Sequence, residues 1–536
     1  MNARFSLYRF LGIAMIIVML VGCTPAATTA PVATTAPGAP VVTIAPANTA
    51  APTVPAKKTF VFGRYQDAIN PDPVMNDANA DIWYIQQYYS GLLRFKQDNS
   101  VEADLATKWE ISPDGLTYTF TLRPDSKFSD GSPITGADWQ WSLDRCRDSK
   151  NGIWAFTMDA VDKVVATDTQ VVFTLKNPYV PFLYSAAMFN CVVMPAKQVE
   201  AAGGWEKFML KPNGSGPFIM KEWVKGDHML LVRNPFYWEK GKPVLDEILI
   251  KTISDDNTRI LALQKGDVDA INYPPFNRVA DLSKDVNLKM LTFESTYTNY
   301  ITLNIRNKPL DNVKVRQALA IAIDRDALIK TINFGVGSPA TSFRPKGSLY
   351  FNDTLPGWPY DVAKAKALLA EAGYPNGFTL TMSLVTGRVA GQQIATLVQA
   401  MWSQIGVKVV VQQLESGLYN DNYYKNKFEV NQNGWTDDIP DPSEEITYAM
   451  DGTNASQAFH SGFNNPEANT LIANGVKETD PVKRKAIYLK LQEIFNTETP
   501  FIPLWYEPYL VMTRANVVNF EQTPLGIYIW RDLDKK

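Results

Sequence analysis

From Lys57 onward the chain alternates between two hydrophobic periods. Thr117–Arg123 (TYTFTLR) places Tyr118, Phe120 and Leu122 at every second position. Gln170–Lys176 (QVVFTLK) does the same with Val171, Phe173 and Leu175. Period two predicts strands with one buried face. Elsewhere the apolar positions recur at helical spacing. Asp311 precedes a stripe of Val315, Leu319, Ala322 and Ile323, and Asp361 opens DVAKAKALLAEAG, which Gly373 closes. Ile394, Leu397, Val398, Met401 and Ile405 form a third stripe, stopped by Gly406. Asp480-Pro481 sets a capping acid before a proline at the first helical position and opens a helix through about Phe495. The third helix passes through its glycine straight into Val407–Leu414 (VKVVVQQL), the pattern of an α/β unit. No internal repeat is present.

The first 56 residues follow neither period. Arg4 and Arg9 give a basic start, and Phe10–Leu20 gives an apolar run too short to cross a bilayer. The run ends in Leu20-Val21-Gly22-Cys23, which resembles the bacterial lipobox. That resemblance implies cleavage before Cys23 and a lipidated thiol at the new N-terminus; the alternative is an ordinary signal peptide with an incidental Cys. Residues 24–56 carry no charge and hold 11 Ala, 8 Thr and 7 Pro among 33 positions. Such a segment cannot pack a core and reads as a tether reaching up to ~100 Å, at about 3.1 Å per residue. No later stretch reaches 18 uncharged apolar residues.

At 536 residues the chain is too long for one ordinary domain. The 52 basic and 55 acidic residues give a formal charge of −3, which becomes −5 if a 22-residue leader takes Arg4 and Arg9 with it. A near-neutral balance without a long Lys/Arg run argues against a nucleic-acid partner. With only two histidines, His228 and His460, there is little room for a His-based metal cluster or a Ser-His-Asp hydrolase. No phosphate-binding loop, HExxH, GxSxG or paired CxxC occurs, so no cofactor is expected. Asp72, Asp77 and Asp81 miss the spacing of an EF-hand and read as loop acids. Cys146 and Cys191 remain in the body, either as a disulfide or as two buried thiols. The balance leans toward binding over catalysis.

An ordered series of short motifs then narrows the reading. It begins with Asn70-Pro71-Asp72-Pro73, Tyr89-Ser90-Gly91-Leu92-Leu93-Arg94-Phe95, Asp104-Leu105-Ala106-Thr107-Lys108-Trp109-Glu110 and Phe128-Ser129-Asp130-Gly131. It continues through Gly216-Pro217-Phe218, Asn234-Pro235-Phe236-Tyr237-Trp238, Gly266-Asp267-Val268-Asp269, Val315-Arg316-Gln317-Ala318 and Glu371-Ala372-Gly373-Tyr374-Pro375. Gly434-Trp435, Pro440-Asp441-Pro442 and Ile502-Pro503-Leu504-Trp505 complete it. The series spans about residues 58 to 530 and resembles the family 5 extracellular solute-binding proteins, the dipeptide- and oligopeptide-binding components of bacterial ABC importers.

The resemblance implies an α/β, two-lobed periplasmic-binding-protein-like fold of type II, cluster C-like, with an extra β-rich domain inserted in the first lobe. On this chain the first lobe's core is expected at 58–91, 211–295 and 500–536, the insert at 92–210 and the second lobe at 296–499. It implies a monomer outside the cytoplasm, held to the membrane through its N-terminal lipid. A short peptide or other small solute would bind between the lobes, and the permease's transmembrane subunits would read the closed form.

A peptide cleft must hold a zwitterion while tolerating varied side chains, so it needs backbone hydrogen bonds and one fixed charge for each terminus. Peptide binders of the family carry a carboxylate in a Gly-Trp-x-x-Asp segment, here Gly434-Trp435-Thr436-Asp437-Asp438. The match assigns Asp438 to the ligand ammonium, backbone groups of Gly434 to Thr436 to the peptide chain, and Trp435 to a pocket wall. Asp437 departs from the family's small residue and adds negative potential. Asn79-Ala80-Asp81 aligns with the segment that meets the ligand from the first lobe. Arg388, in Val385-Thr386-Gly387-Arg388, occupies the loop where dipeptide-binding relatives place the arginine for the carboxylate; Arg344 is a lesser candidate. The rival readings are oligosaccharide or metal-chelate cargo on the same fold, a secreted hydrolase built on His228 or His460, and a surface sensor presenting its ligand to a receptor.

Overall fold

The computed structural model describes residues 57–536, except 77–78, 149, 151, 153 and 454–455. The leader, Cys23, the tether and Asp77 lie outside the described residues. Two large sheets and one smaller sheet organise the body. The first has seven strands in the order 288–293, 509–514, 270–272, 59–64, 247–252, 228–233 and 218–224. Its central strand, Thr59–Arg64, runs parallel to both neighbours, and Phe60 and Phe62 on it are fully buried. The second sheet has six strands, ordered 338–339, 501–506, 298–303, 430–435, 378–385 and 407–414. A four-stranded antiparallel sheet within residues 106–175 carries its own core. The whole is an α/β fold of two sheet-centred lobes with an additional β-rich domain.

The period-two segments form strands at Thr117–Leu122 and Gln170–Leu175, with all six alternating apolar residues buried. Asp361 caps its helix by accepting from the Lys364 amide at 2.8 Å. Asp480 caps Pro481–Glu498, three residues longer than the pattern indicated, because Tyr488, Leu491, Ile494 and Phe495 pack inward before Thr499 turns left-handed. One cap shifts by a residue: Asn312, not Asp311, accepts from the Lys314 amide, because the Asp311 amide is already bonded to the Asn307 carbonyl in the preceding turn. The predicted α/β unit joins Phe378–Val385, helix Val389–Ser403 and Val407–Leu414, with the two strands parallel. That helix buries Ile394, Val398, Met401 and Trp402, each contributing roughly 1.5–3 kcal/mol.

The chain passes between the large sheets twice. Residues 294–297 separate Leu288–Phe293 of the first from Thr298–Leu303 of the second. The return differs from the expected boundary at residue 500. Phe501–Tyr506 still pairs with Thr298–Leu303, and only Tyr509–Arg514 joins the first sheet, so the crossing falls at Glu507-Pro508. The two crossings are bonded together: the Glu507 amide donates to the Tyr297 carbonyl at 3.2 Å, and the Ser295 hydroxyl donates to the Glu507 carbonyl. No described helix is long and apolar enough to cross a membrane.

Candidate functional site

Three strands of the second sheet, Phe378–Val385, Val407–Leu414 and Val430–Trp435, are mutually parallel and end at the same edge. A cavity of about 600 Å³ opens there, within the usual size range of small-molecule sites. Arg388 stands at its rim as the residue preceding helix Val389–Ser403, and no side chain caps that helix. Val389, Ala390 and Gly391 line the cavity, so the positive end of the helix faces the same space as the guanidinium. Arg388 is exposed and forms no ion pair among the described residues. Both features favour an anion. Gly434, on the adjoining strand, also lines the cavity, and an added Cβ there would fall 2.2 Å from the Tyr297 hydroxyl. Neutral amides of Asn299, Gln432 and Asn433 fill out the lining.

One residue further on, the chain leaves this cavity for an acid-rich junction. Trp435 stacks on Tyr448 with ring centroids 3.7 Å apart, and its indole N–H donates to Asp437 Oδ1 at 2.8 Å. Asp437 is 2% exposed, and its amide donates to the Thr296 hydroxyl at 3.0 Å, while Oδ2 has no partner. Thr436 lies beside the phenol of Tyr509, which comes from the first sheet. The amides of Asp438 and Ile439 both donate to Glu444 Oε2, at 3.0 and 2.8 Å. This brings two carboxyl groups together with no cation between them. Burial pushes Asp438 up to about 7, with Asp437 adding repulsion, and burial pushes Asp437 up to about 7 as well. Glu444 is driven well above the carboxylate range by burial and then by Asp438 and Asp437.

Two neighbouring acids are satisfied internally. Asp441 accepts both Arg484 nitrogens at 2.9 and 2.8 Å, and Glu445 accepts Arg344 at 2.9 Å, all four side chains being buried. Arg344 also donates to the Leu349 and Pro440 carbonyls, so it is committed to the fold and not to the cavity. Asp437, Asp438 and Glu444 are therefore the acids of this junction with no cationic side chain bonded to them among the described residues. A ligand cation would stabilise them strongly, since charge pairs gain most where water is excluded.

The structure brings Arg388 and Gly434 into one cavity, with Trp435, Thr436 and Asp438 following along the same chain. It does not bring Asn79, Ala80 and Asp81 to that cavity. Asn79 is exposed, the Ala80 carbonyl accepts from Arg64 at 2.7 Å, and Asp81 is buried with its carboxylate against the Ile69 and Asn70 amides. Burial raises Asp81 to about 6. Asp72 is likewise no loop acid: it is fully buried and bidentate with Arg145 at 2.9 and 2.5 Å. Among the described residues no group of three or more His, Cys, Asp or Glu is arranged to hold a metal. His228 contacts Asp227 and Glu222, and a ring nitrogen of His460 meets Asn426 at 3.0 Å. Cys146 and Cys191 are buried with sulfurs 3.2 Å apart, as free thiols.

Sequence reasoning missed Glu444 and Glu507. Glu444 opens helix Pro442–Met450, where an acid complements the helix dipole and draws no notice. Glu507 follows the matched Ile502–Trp505 motif as a lone acid, and only the crossing it occupies turns it toward the cavity.

This geometry is that of a binding protein: a cavity at strand ends beside two crossings. Residues 100–457 match the family model for bacterial extracellular solute-binding proteins, family 5 Middle. The chain is 31% identical over 468 residues to the glutathione-binding protein GsiB of Salmonella typhimurium, covering 84% of this chain and 89% of that protein. Among solved structures, HbpA2 from Haemophilus parasuis superposes with a TM-score of 0.81 at 30% identity, covering 89% of this chain and all of the other. The periplasmic binding protein DppA from Helicobacter pylori, in complex with the peptide STSA, gives 0.76 at 28% identity over 89% and 98%. The chain belongs to the family 5 extracellular solute-binding proteins.

Proposed function

We propose that this protein captures short peptides between its lobes and delivers them to an ABC permease, without catalysing any step. The observation that carries the reading is a pair of separate charged ends, a cation at the cavity rim and a cluster of acids just beyond Gly434. An unpaired Arg388 at a helix N-terminus lines the cavity with Gly434. Four residues after Gly434, Asp438 lies beside Glu444 and Asp437. In this reading Arg388 takes the ligand carboxylate, Asp438 the ammonium, and Gly434 to Thr436 the peptide backbone. The peptide bound to the Helicobacter pylori relative and the glutathione of GsiB support peptides over sugars as the cargo class. Asn79 to Asp81 serve the first lobe's packing and reach a ligand only through the lobe they hold.

The same proposal covers the N-terminus. Residues 1–22 are removed, Cys23 is lipidated, and residues 24–56 hold a monomeric binding domain at the outer face of the membrane. Cys146 and Cys191 close into a disulfide in that compartment. The test is calorimetry of the soluble body with Ala-Ala and Ala-Ala-Ala. Arg388→Ala and Asp438→Asn should each weaken binding on the order of tenfold or more, the worth of one charge-assisted bond. Unchanged affinity in both variants would remove the two anchors from the reading.

A further inference from the structure

Glu507 has an unusual position for a carboxylate. It sits on the second crossing between the large sheets, after the last strand of one and before the next strand of the other. Its Oε2 accepts from Asn333 Nδ2 and from the Trp505 indole, both at 3.2 Å. These are long, neutral donors, whereas carboxylates paired with cations show about 2.7–2.9 Å. No lysine, arginine or histidine pairs with it among the described residues. Burial raises its pKa, with those two bonds opposing. It lines the same 600 Å³ cavity as Arg388, and the Tyr297 phenol there feels the field of both.

The cavity thus holds one cation and one anion that are not paired with each other. The remaining wall is neutral: Asn299, Gln432 and Tyr419 offer hydrogen bonds, and Phe276 offers an aromatic face from the first lobe. A ligand that satisfies both charges carries a carboxylate and a cation. Asp438 already serves the α-ammonium in the peptide reading, on which this inference rests. The second cation must then belong to the side chain of the residue whose carboxylate meets Arg388. We propose that Glu507 is a specificity-determining residue that selects peptides ending in lysine or arginine. The carboxylate would sit at Arg388, the aliphatic stem along the cavity wall, and the side-chain cation at Glu507.

The experiment compares Ala-Ala-Lys with Ala-Ala-norleucine, which keeps the stem and lacks the charge, by calorimetry on wild type and E507Q. Free lysine is the third ligand. Wild type should bind Ala-Ala-Lys on the order of tenfold more tightly than the norleucine peptide. E507Q should bring that ratio to about one, with a wild-type circular dichroism spectrum and melting temperature showing that the variant is folded. A wild-type ratio near one, or a ratio retained in E507Q, overturns the inference and leaves the peptide reading standing. Binding of neither tripeptide overturns the peptide reading itself. Free lysine binding as tightly as the tripeptide overturns the assignment to a peptide C-terminus.

Discussion

Acidification should switch off ligand capture through Asp438. In the empty protein burial holds this carboxyl at about 7, and its neighbour Glu444 is pushed upward as well, by burial and then by Asp438 and Asp437. A ligand ammonium needs the ionised form. With a pKa near 7, about half of Asp438 is ionised at pH 7 and about one part in a hundred at pH 5. Apparent affinity scales with that fraction, so it should fall roughly fiftyfold over this range, about 2.3 kcal/mol. The range must stop near pH 7, since a peptide's α-amino group begins to lose its own proton at about 7.7–8.0. Calorimetry with Ala-Ala-Ala at pH 5, 6 and 7, in buffers of different ionisation enthalpy, measures both the affinity and the proton released. Binding at pH 7 should release about half a proton from Asp438. Asp438→Asn should bind weakly with a flat profile, and Arg388→Ala should bind weakly with the slope retained. A wild-type affinity independent of pH between 5 and 7 would refute the reasoning. The folding sign is opposite. Asp437 and Asp438 have folded values near 7 against the ordinary 3.8, so their contribution is full below about pH 4 and is lost as pH rises through 7. The empty protein should therefore melt at higher temperature at pH 5 than at pH 8.

Arg484→Met should cost about 3–5 kcal/mol in denaturant unfolding, because it strands the buried Asp441 carboxylate, and Arg484→Met with Asp441→Asn should recover most of that loss. Gly526→Ala should destabilise by at least about 2 kcal/mol and shift tryptophan fluorescence, since φ is +90° and the new Cβ would lie 2.3 Å from the Trp83 ring. Protein exported to an oxidising compartment and denatured without reductant should show no reactive thiol at Cys146 or Cys191, and two after reduction; two thiols before reduction would refute the disulfide.

The elements and their faces were legible from local pattern alone. Tyr118, Phe120 and Leu122 alternate because a pleated strand does, and all three are buried. The stripe ending at Ile405 forms its helix because Gly406, at φ +80°, can turn the chain into the next strand. Those features are local, and so is the ordered motif series that named the family. The places of Gly434 and Arg388 at strand ends were legible for the same reason, one in a short motif and one in a loop after a strand. What a single acid does was not legible. Asp72, Asp81, Asp438 and Glu507 look alike in the chain. One is neutralised by an arginine 73 residues away, one binds two backbone amides, one is crowded by another carboxyl, and one faces a cavity across a crossing. These fates separate only in the folded chain, because the energy of a buried charge is set by neighbours distant in sequence and by the water that folding excludes.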